Sequence, residues 1–158
     1  MKKYLLIVLI ALLMAVPSIS EAAGTIVQTS QRYAIANTFQ RCVVTLTCTG
    51  DASTGSFPTT GGAIIYPAIT QATGFYLYCI RVIPGTTHPT ASYTIAITDA
   101  YGVPVVGSTL LASMSASAAA QFYPANYPPI FDAWTVTITG NSVASANITI
   151  LLEFIANI

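Results

Sequence analysis

Alternation with a period of two runs through most of this chain and confines it to β-structure. Trp134, Val136 and Ile138 alternate with Thr135, Thr137 and Thr139, so an extended backbone there is apolar on one face and hydroxylic on the other. Cys42, Val44, Leu46 and Cys48 alternate in the same way with Arg41, Val43, Thr45 and Thr47. Tyr93, Ile95 and Ile97 repeat the pattern, as do Ile148, Ile150, Leu152 and Phe154. Phe75 to Ile83 is apolar or aromatic on both faces except at Arg81, which predicts a central strand ended by Pro84-Gly85. Ala63 to Tyr66 reads as a short edge strand closed by Pro67, and Thr25 to Thr29 as a first strand.

The segments between are turn chemistry. Thr49 to Gly62 carries Gly50, Asp51, Gly55, Pro58, Gly61 and Gly62. Asp99-Ala100-Tyr101-Gly102 predicts a tight turn, after which Val103 to Val106 returns antiparallel with Pro104 marking an edge or bulge. Gly140-Asn141-Ser142 predicts a hairpin between the last two strands. Thr109 to Gln121 mixes helix-forming alanines with alternating serines and reads as an extended or irregular crossover, and Gln121 to Pro129 as a long ordered loop. About eight short strands separated by turns define an all-β class, an antiparallel β-sandwich of jelly-roll type. An eight-stranded outer-membrane barrel fits less well, because it needs strands of about 10 residues and aromatic girdles.

Met1 to Ala23 carries a different signal. Lys2 and Lys3 precede 13 uninterrupted apolar residues from Tyr4 to Val16, Pro17 follows, and Ser20 and Ala22 are small residues spaced for cleavage. This is the layout of a secretory signal peptide, and the apolar run falls short of the about 20 residues of a transmembrane helix. The expected organisation is therefore a signal peptide over 1–23 and one sandwich domain over 24–158, with no stable membrane span after cleavage and an exported location. Only 6% of the chain is charged. Beyond the leader three arginines face four acids. Three scattered arginines cannot replace phosphate counterions, which excludes nucleic acid as a partner.

The same scarcity argues against catalysis. His88 lies in the loop Thr86-Thr87-His88-Pro89, and no nucleophile elbow, P-loop or zinc-protease motif is present. Asp51-Ala52-Ser53-Thr54-Gly55 has the outline of a metal-binding loop without its further oxygen ligands, and reads as an Asp-capped turn. A non-enzymatic chain without cofactor or metal is the expectation. In an exported chain a disulfide is expected among the three cysteines. Cys42 and Cys48 are roughly 20 Å apart along one strand, too far to bond. Cys79 is then the partner of one of them, and Cys48–Cys79 is preferred because Cys48 ends its strand.

Nine tyrosines, six phenylalanines and one tryptophan are many for this length. Tyr101 at a turn, with Tyr123, Tyr127 and Phe131 in or beside the proline-rich loop, make a candidate interaction surface, and Tyr76 and Tyr78 share a strand face.

Val43-Val44-Thr45-Leu46-Thr47-Cys48-Thr49-Gly50, then Gly74 to Gly85, then Pro89 to Asp99, together resemble small β-sandwich virion structural proteins of tailed bacteriophages. In those, a Y-x-I-x-I-x-D-x-x-G-x-x-V-x-G stretch leads into an irregular Ser/Ala-rich segment. Tyr93, Ile95, Ile97, Asp99, Gly102, Val105 and Gly107 stand at its positions here, and Trp134 to Ile138 with Ala144 to Leu152 resemble the closing strands. The resemblance spans roughly Val43 to Leu152. It implies a structural role in a virion and brings no catalytic or ligand residues. An export leader departs from that pattern. The expected function is a structural or assembly subunit that forms a homo-oligomer or packs on a protein partner. The alternative is a secreted carbohydrate- or surface-binding module, with a glycan held by the tyrosine-bearing loops.

Overall fold

Period-two segments bury one face by pairing side by side and stacking on a second sheet, and this chain does both. The computed structural model describes residues 23–36, 39–58, 63–64, 74–107, 111–130 and 133–157. Eight strands are formed among them: β1 (Thr25–Ala36), β2 (Phe39–Thr49), β3 (Ala63–Ile64), β4 (Tyr76–Pro84), β5 (Thr94–Thr98), β6 (Ala120–Phe122), β7 (Trp134–Thr139) and β8 (Asn147–Asn157). Five of them make one sheet in the order β1-β2-β8-β4-β6, and three make a second in the order β3-β7-β5. Every pairing is antiparallel. No helix forms among the described residues.

A broken fourth strand extends the smaller sheet. The N–H of Val105 donates to the carbonyl of Ile97 at 2.9 Å, and that of Met114 to Tyr93 at 2.8 Å. Pro104 bridges Thr98 there, so the return after the Asp99 turn is real and the proline sits on an edge. From β2 onward each successive strand changes sheet, and β2 and β8 lie side by side. That is the two-sheet jelly-roll arrangement, with β1 added outside β2.

The apolar sets of the alternating strands meet in one core. Val44, Leu46, Leu77, Ile80, Ile150 and Leu152 come from the large sheet, and Ile95, Ile97, Val136 and Ile138 from the small one. Trp134 and Phe154 join the two sheets, their rings 5.8 Å apart. Each such side chain contributes about 1.5–3 kcal/mol by leaving water. Gly55 is needed where the 51–58 loop crosses the chain before β8. Its φ is +71°, and a Cβ there would come within 2.6 Å of the backbone at Ser142 and Val143.

Two expectations are corrected, the closing hairpin and the disulfide. Trp134–Thr139 and Asn147–Asn157 do not form a hairpin: β7 pairs with β3 and β5, whereas β8 pairs with β2 and β4. Residues 140–146 cross between the sheets. The Asn141 side chain accepts from Thr90 N–H and donates to the carbonyl of Gly55, and Gly50 N–H donates to Ala146 at 2.8 Å. The Phe75–Ile83 strand is interior as expected, with β8 along one side and, along the other, β6 at Ile80–Val82 and residues 128–130 at Phe75–Leu77.

The Cys48–Cys79 disulfide is absent, and all three cysteines are free and buried. Cys48 points into the core opposite Ile148, while Cys79 is opposite Glu153 across a register shift between Leu77 and Cys79. That bulge places Cys79 on the outer side of the sheet, with β8 between it and β2. Residues 1–22 of the expected leader, Tyr66-Pro67, Phe131 and Asp132 lie outside the described residues.

Candidate functional site

The register of the five-stranded sheet fixes which side chains adjoin on its outer face. Thr29, Thr45, Leu151, Arg81 and Gln121 form one row across β1, β2, β8, β4 and β6. The next row is Gln31, Val43, Glu153 and Cys79, and the one after it Tyr33, Arg41, Ile155 and Tyr76.

Among the described residues, two arginines share one glutamate at the centre of this face, which leaves the cluster cationic. Glu153 is only 6% exposed and lies between two arginines. Arg41 Nη2 is 2.9 Å from Oε2, and Arg81 Nε is 3.4 Å from Oε1. Burial and the Glu153 carboxylate push the Cys79 thiol up, against hydrogen bonds from Arg81 and Gln121. Cys79 is fully buried, and both its burial and its raised pKa disfavour a reactive thiolate.

To one side of this triad is a tyrosine patch. Tyr78 stacks on Tyr127 with centroids 6.0 Å apart and planes 10° from parallel, and meets Tyr123 edge-on at 5.6 Å. Gln121 hydrogen-bonds the Tyr123 hydroxyl. Tyr76 is exposed beside them. Tyr127 has φ +39°, the left-handed region, which a bulky side chain enters only under strain. The loop holds it there: Leu77 N–H donates to Pro128 at 3.0 Å and Ile130 N–H to Phe75 at 3.0 Å.

Two of the four residues expected to form an interaction surface, Tyr123 and Tyr127, therefore meet on one face. Tyr101 does not join them. It is 86% exposed at the Asp99 turn of the other sheet, where Asp99 Oδ1 accepts from the Tyr101 and Val103 N–H groups at 2.9 and 2.8 Å. Tyr78, which anchors the patch, was legible only as an outward strand position. The Arg41–Glu153–Arg81 triad had no sequence signal, because its members come from three strands.

On the other side of the triad, a groove of about 490 Å³ is lined by Thr29, Ser30, Gln31, Tyr33, Val43, Thr45 and Leu151. Tyr33 donates its hydroxyl to Gln31 Oε1 at 2.6 Å, and the Arg41 guanidinium lies over the Tyr33 ring at 6.0 Å.

The Asp51 loop is a turn. Its Oδ1 accepts from the N–H and hydroxyl of Ser53 at 2.8 and 2.6 Å and from the N–H of Thr54 at 2.8 Å. The Ser53 hydroxyl and then the Thr54 N–H hold its carboxyl down at about 2. Among the described residues no three His, Cys, Asp or Glu side chains gather as a metal site would need. His88 is exposed in its loop. No described helix is long and apolar enough to cross a membrane.

No family model and no curated protein matches the chain. Among solved structures it is similar to a low-affinity xylan-binding module from the gut symbiont Roseburia intestinalis, at 8% identity and TM-score 0.32, covering 87% of this chain and 97% of that one. A cyanophage capsid chain is similar at 12% identity and TM-score 0.31, covering 88% and 87%. The C-terminal family 22 carbohydrate-binding module of a Clostridium thermocellum protein follows at 12% and 0.29, covering 90% and 89%. Likeness this low carries no argument about function.

Proposed function

We propose that this chain is an exported, non-enzymatic structural subunit that self-associates through the tyrosine patch on its five-stranded sheet, as a virion-type or cell-surface component. The observation behind this reading is the composition of that patch. Tyr76, Tyr78, Tyr123 and Tyr127 are exposed beside two arginines that share one buried glutamate. Tyrosine and arginine are enriched at the centres of protein contacts, and lysine and free carboxylates are depleted. The chain's only lysines are in the leader. Strain at Tyr127 agrees with a ring retained for contact rather than for the turn.

In the alternative reading these same tyrosines hold a glycan. Tyr78 and Tyr127 turn ring faces toward each other, giving an apolar knob instead of a flat platform for a sugar. The solution mass of the purified protein, followed by light scattering from low to high micromolar concentration, tests self-association. A defined oligomer that dissociates on dilution is expected. A monomer throughout contradicts it.

A further inference from the structure

The groove across β1, β2 and β8 lies on the same outer face as the tyrosine patch but on the far side of the Arg41–Glu153–Arg81 triad, and its chemistry differs. Its volume of about 490 Å³ is in the range of small-molecule sites, about 300–1,000 Å³. Val43 and Leu151 give it an apolar floor, and Thr29, Thr45, Gln31 and Tyr33 supply hydroxyl and amide groups around it. None of its lining residues is charged. Two cations adjoin it, Arg41 in register with Tyr33 and Arg81 with Leu151, and both share the single Glu153 carboxylate, so the triad stays cationic while the lining itself is neutral. Tyr33 donates to Gln31 Oε1 at 2.6 Å, so the Gln31 amide N–H groups are not used in that bond.

The geometry points to a binding site for a neutral saccharide in this groove. A pyranose ring has apolar C–H faces rimmed by hydroxyls, each both donor and acceptor. The groove offers the complement: an apolar floor, neutral donors and acceptors at its rim, and an aromatic side wall at Tyr33. An apolar ligand would cover the Thr29 and Thr45 hydroxyls and the Tyr33–Gln31 pair without replacing their hydrogen bonds to water.

Titration calorimetry on the purified protein with cellotriose and maltotriose at millimolar concentration, and with trigalacturonate as an anionic control, tests the assignment. At least one neutral trisaccharide is expected to bind and the anionic one not. Gln31→Ala should weaken binding at least tenfold. Thr45→Val, which keeps the strand shape and removes only a hydroxyl, should weaken it severalfold. Tyr78→Ala should leave it unchanged. The site is refuted if neither neutral sugar binds, if trigalacturonate binds better, or if binding follows Tyr78 and not Gln31. It is also refuted if Gln31→Ala changes only the oligomeric mass, which would make the groove a contact with a second copy. Because mass and sugar heat are separate readouts, failure of the assembly reading leaves this test intact.

Discussion

Three residues show how far single side chains can be argued. Glu153 is buried between arginines that remain partly solvated, their side chains 37% and 44% exposed. Removing it leaves two cations facing each other, but water screens both. Glu153→Ala is therefore expected to destabilise by about 1–3 kcal/mol in urea unfolding, less than the loss of a partner from a fully buried pair. Tyr93 is the opposite case. Its hydroxyl is buried without a hydrogen-bond partner among the described residues, and burial raises its pKa to about 12. Tyr93→Phe removes an unsatisfied group at nearly constant shape, so stability should stay level or rise by up to about 1 kcal/mol. A clear loss would show that the hydroxyl is satisfied. Asp51 titrates. Its carboxyl is held from 3.8 down to about 2 in the folded chain, so the stability it adds is complete above the unfolded value and lost as pH falls through about 2. Urea midpoints should drop between pH 5 and pH 2 in the wild type by more than in Asp51→Ala.

At the scale of elements, alternation was legible and partners were not. The inward sets on β2, β5, β7 and β8 follow directly from every second residue, since the pleat admits no other arrangement. Period two, however, is the same whether the next strand pairs alongside or crosses to the opposite sheet. Gly140-Asn141-Ser142 would suit a hairpin, yet long-range hydrogen bonds from Asn141 to the Thr90 and Gly55 backbones make it a crossover. Cys79 was misplaced for a related reason. One bulged residue reverses facing for the rest of a strand, and nothing in Tyr76–Pro84 marks where the bulge falls. Two of the candidate tyrosines were legible as loop residues, whereas the groove depends on the cross-strand register of β1, β2 and β8. Thiol labelling without reductant should find three reactive cysteines after denaturation and slow reaction before it, since burial alone pushes Cys48 to about 12. Two missing thiols would restore the disulfide. Gly55→Ala should cost more than about 2 kcal/mol, because both its φ and the approaching backbone resist a Cβ.

The whole molecule is a sandwich in which successive strands alternate between sheets, so almost every pairing joins distant parts of the chain. Folding should accordingly fall in the slow, millisecond-to-second range of all-β topologies. Its edges differ: β6 and β3 are short, and the strand after β5 is broken near Pro104, whereas β1 runs for 12 residues. Its large outer face is divided by the Glu153 triad into a tyrosine patch and a neutral groove. The central claim is that the patch, and not exposed tyrosine in general, drives self-association. Tyr78 and Tyr101 separate the two, one at the centre of the patch and the other more exposed on the opposite sheet. The decisive measurement is the dissociation constant of the oligomer, by light scattering or sedimentation, for Tyr78→Ala and Tyr101→Ala. Loss of a contact-centre aromatic worth about 2 kcal/mol should weaken assembly roughly thirtyfold in the first variant, and the second should match the wild type. Equal effects in both variants, or an effect at Tyr101 alone, would contradict the account.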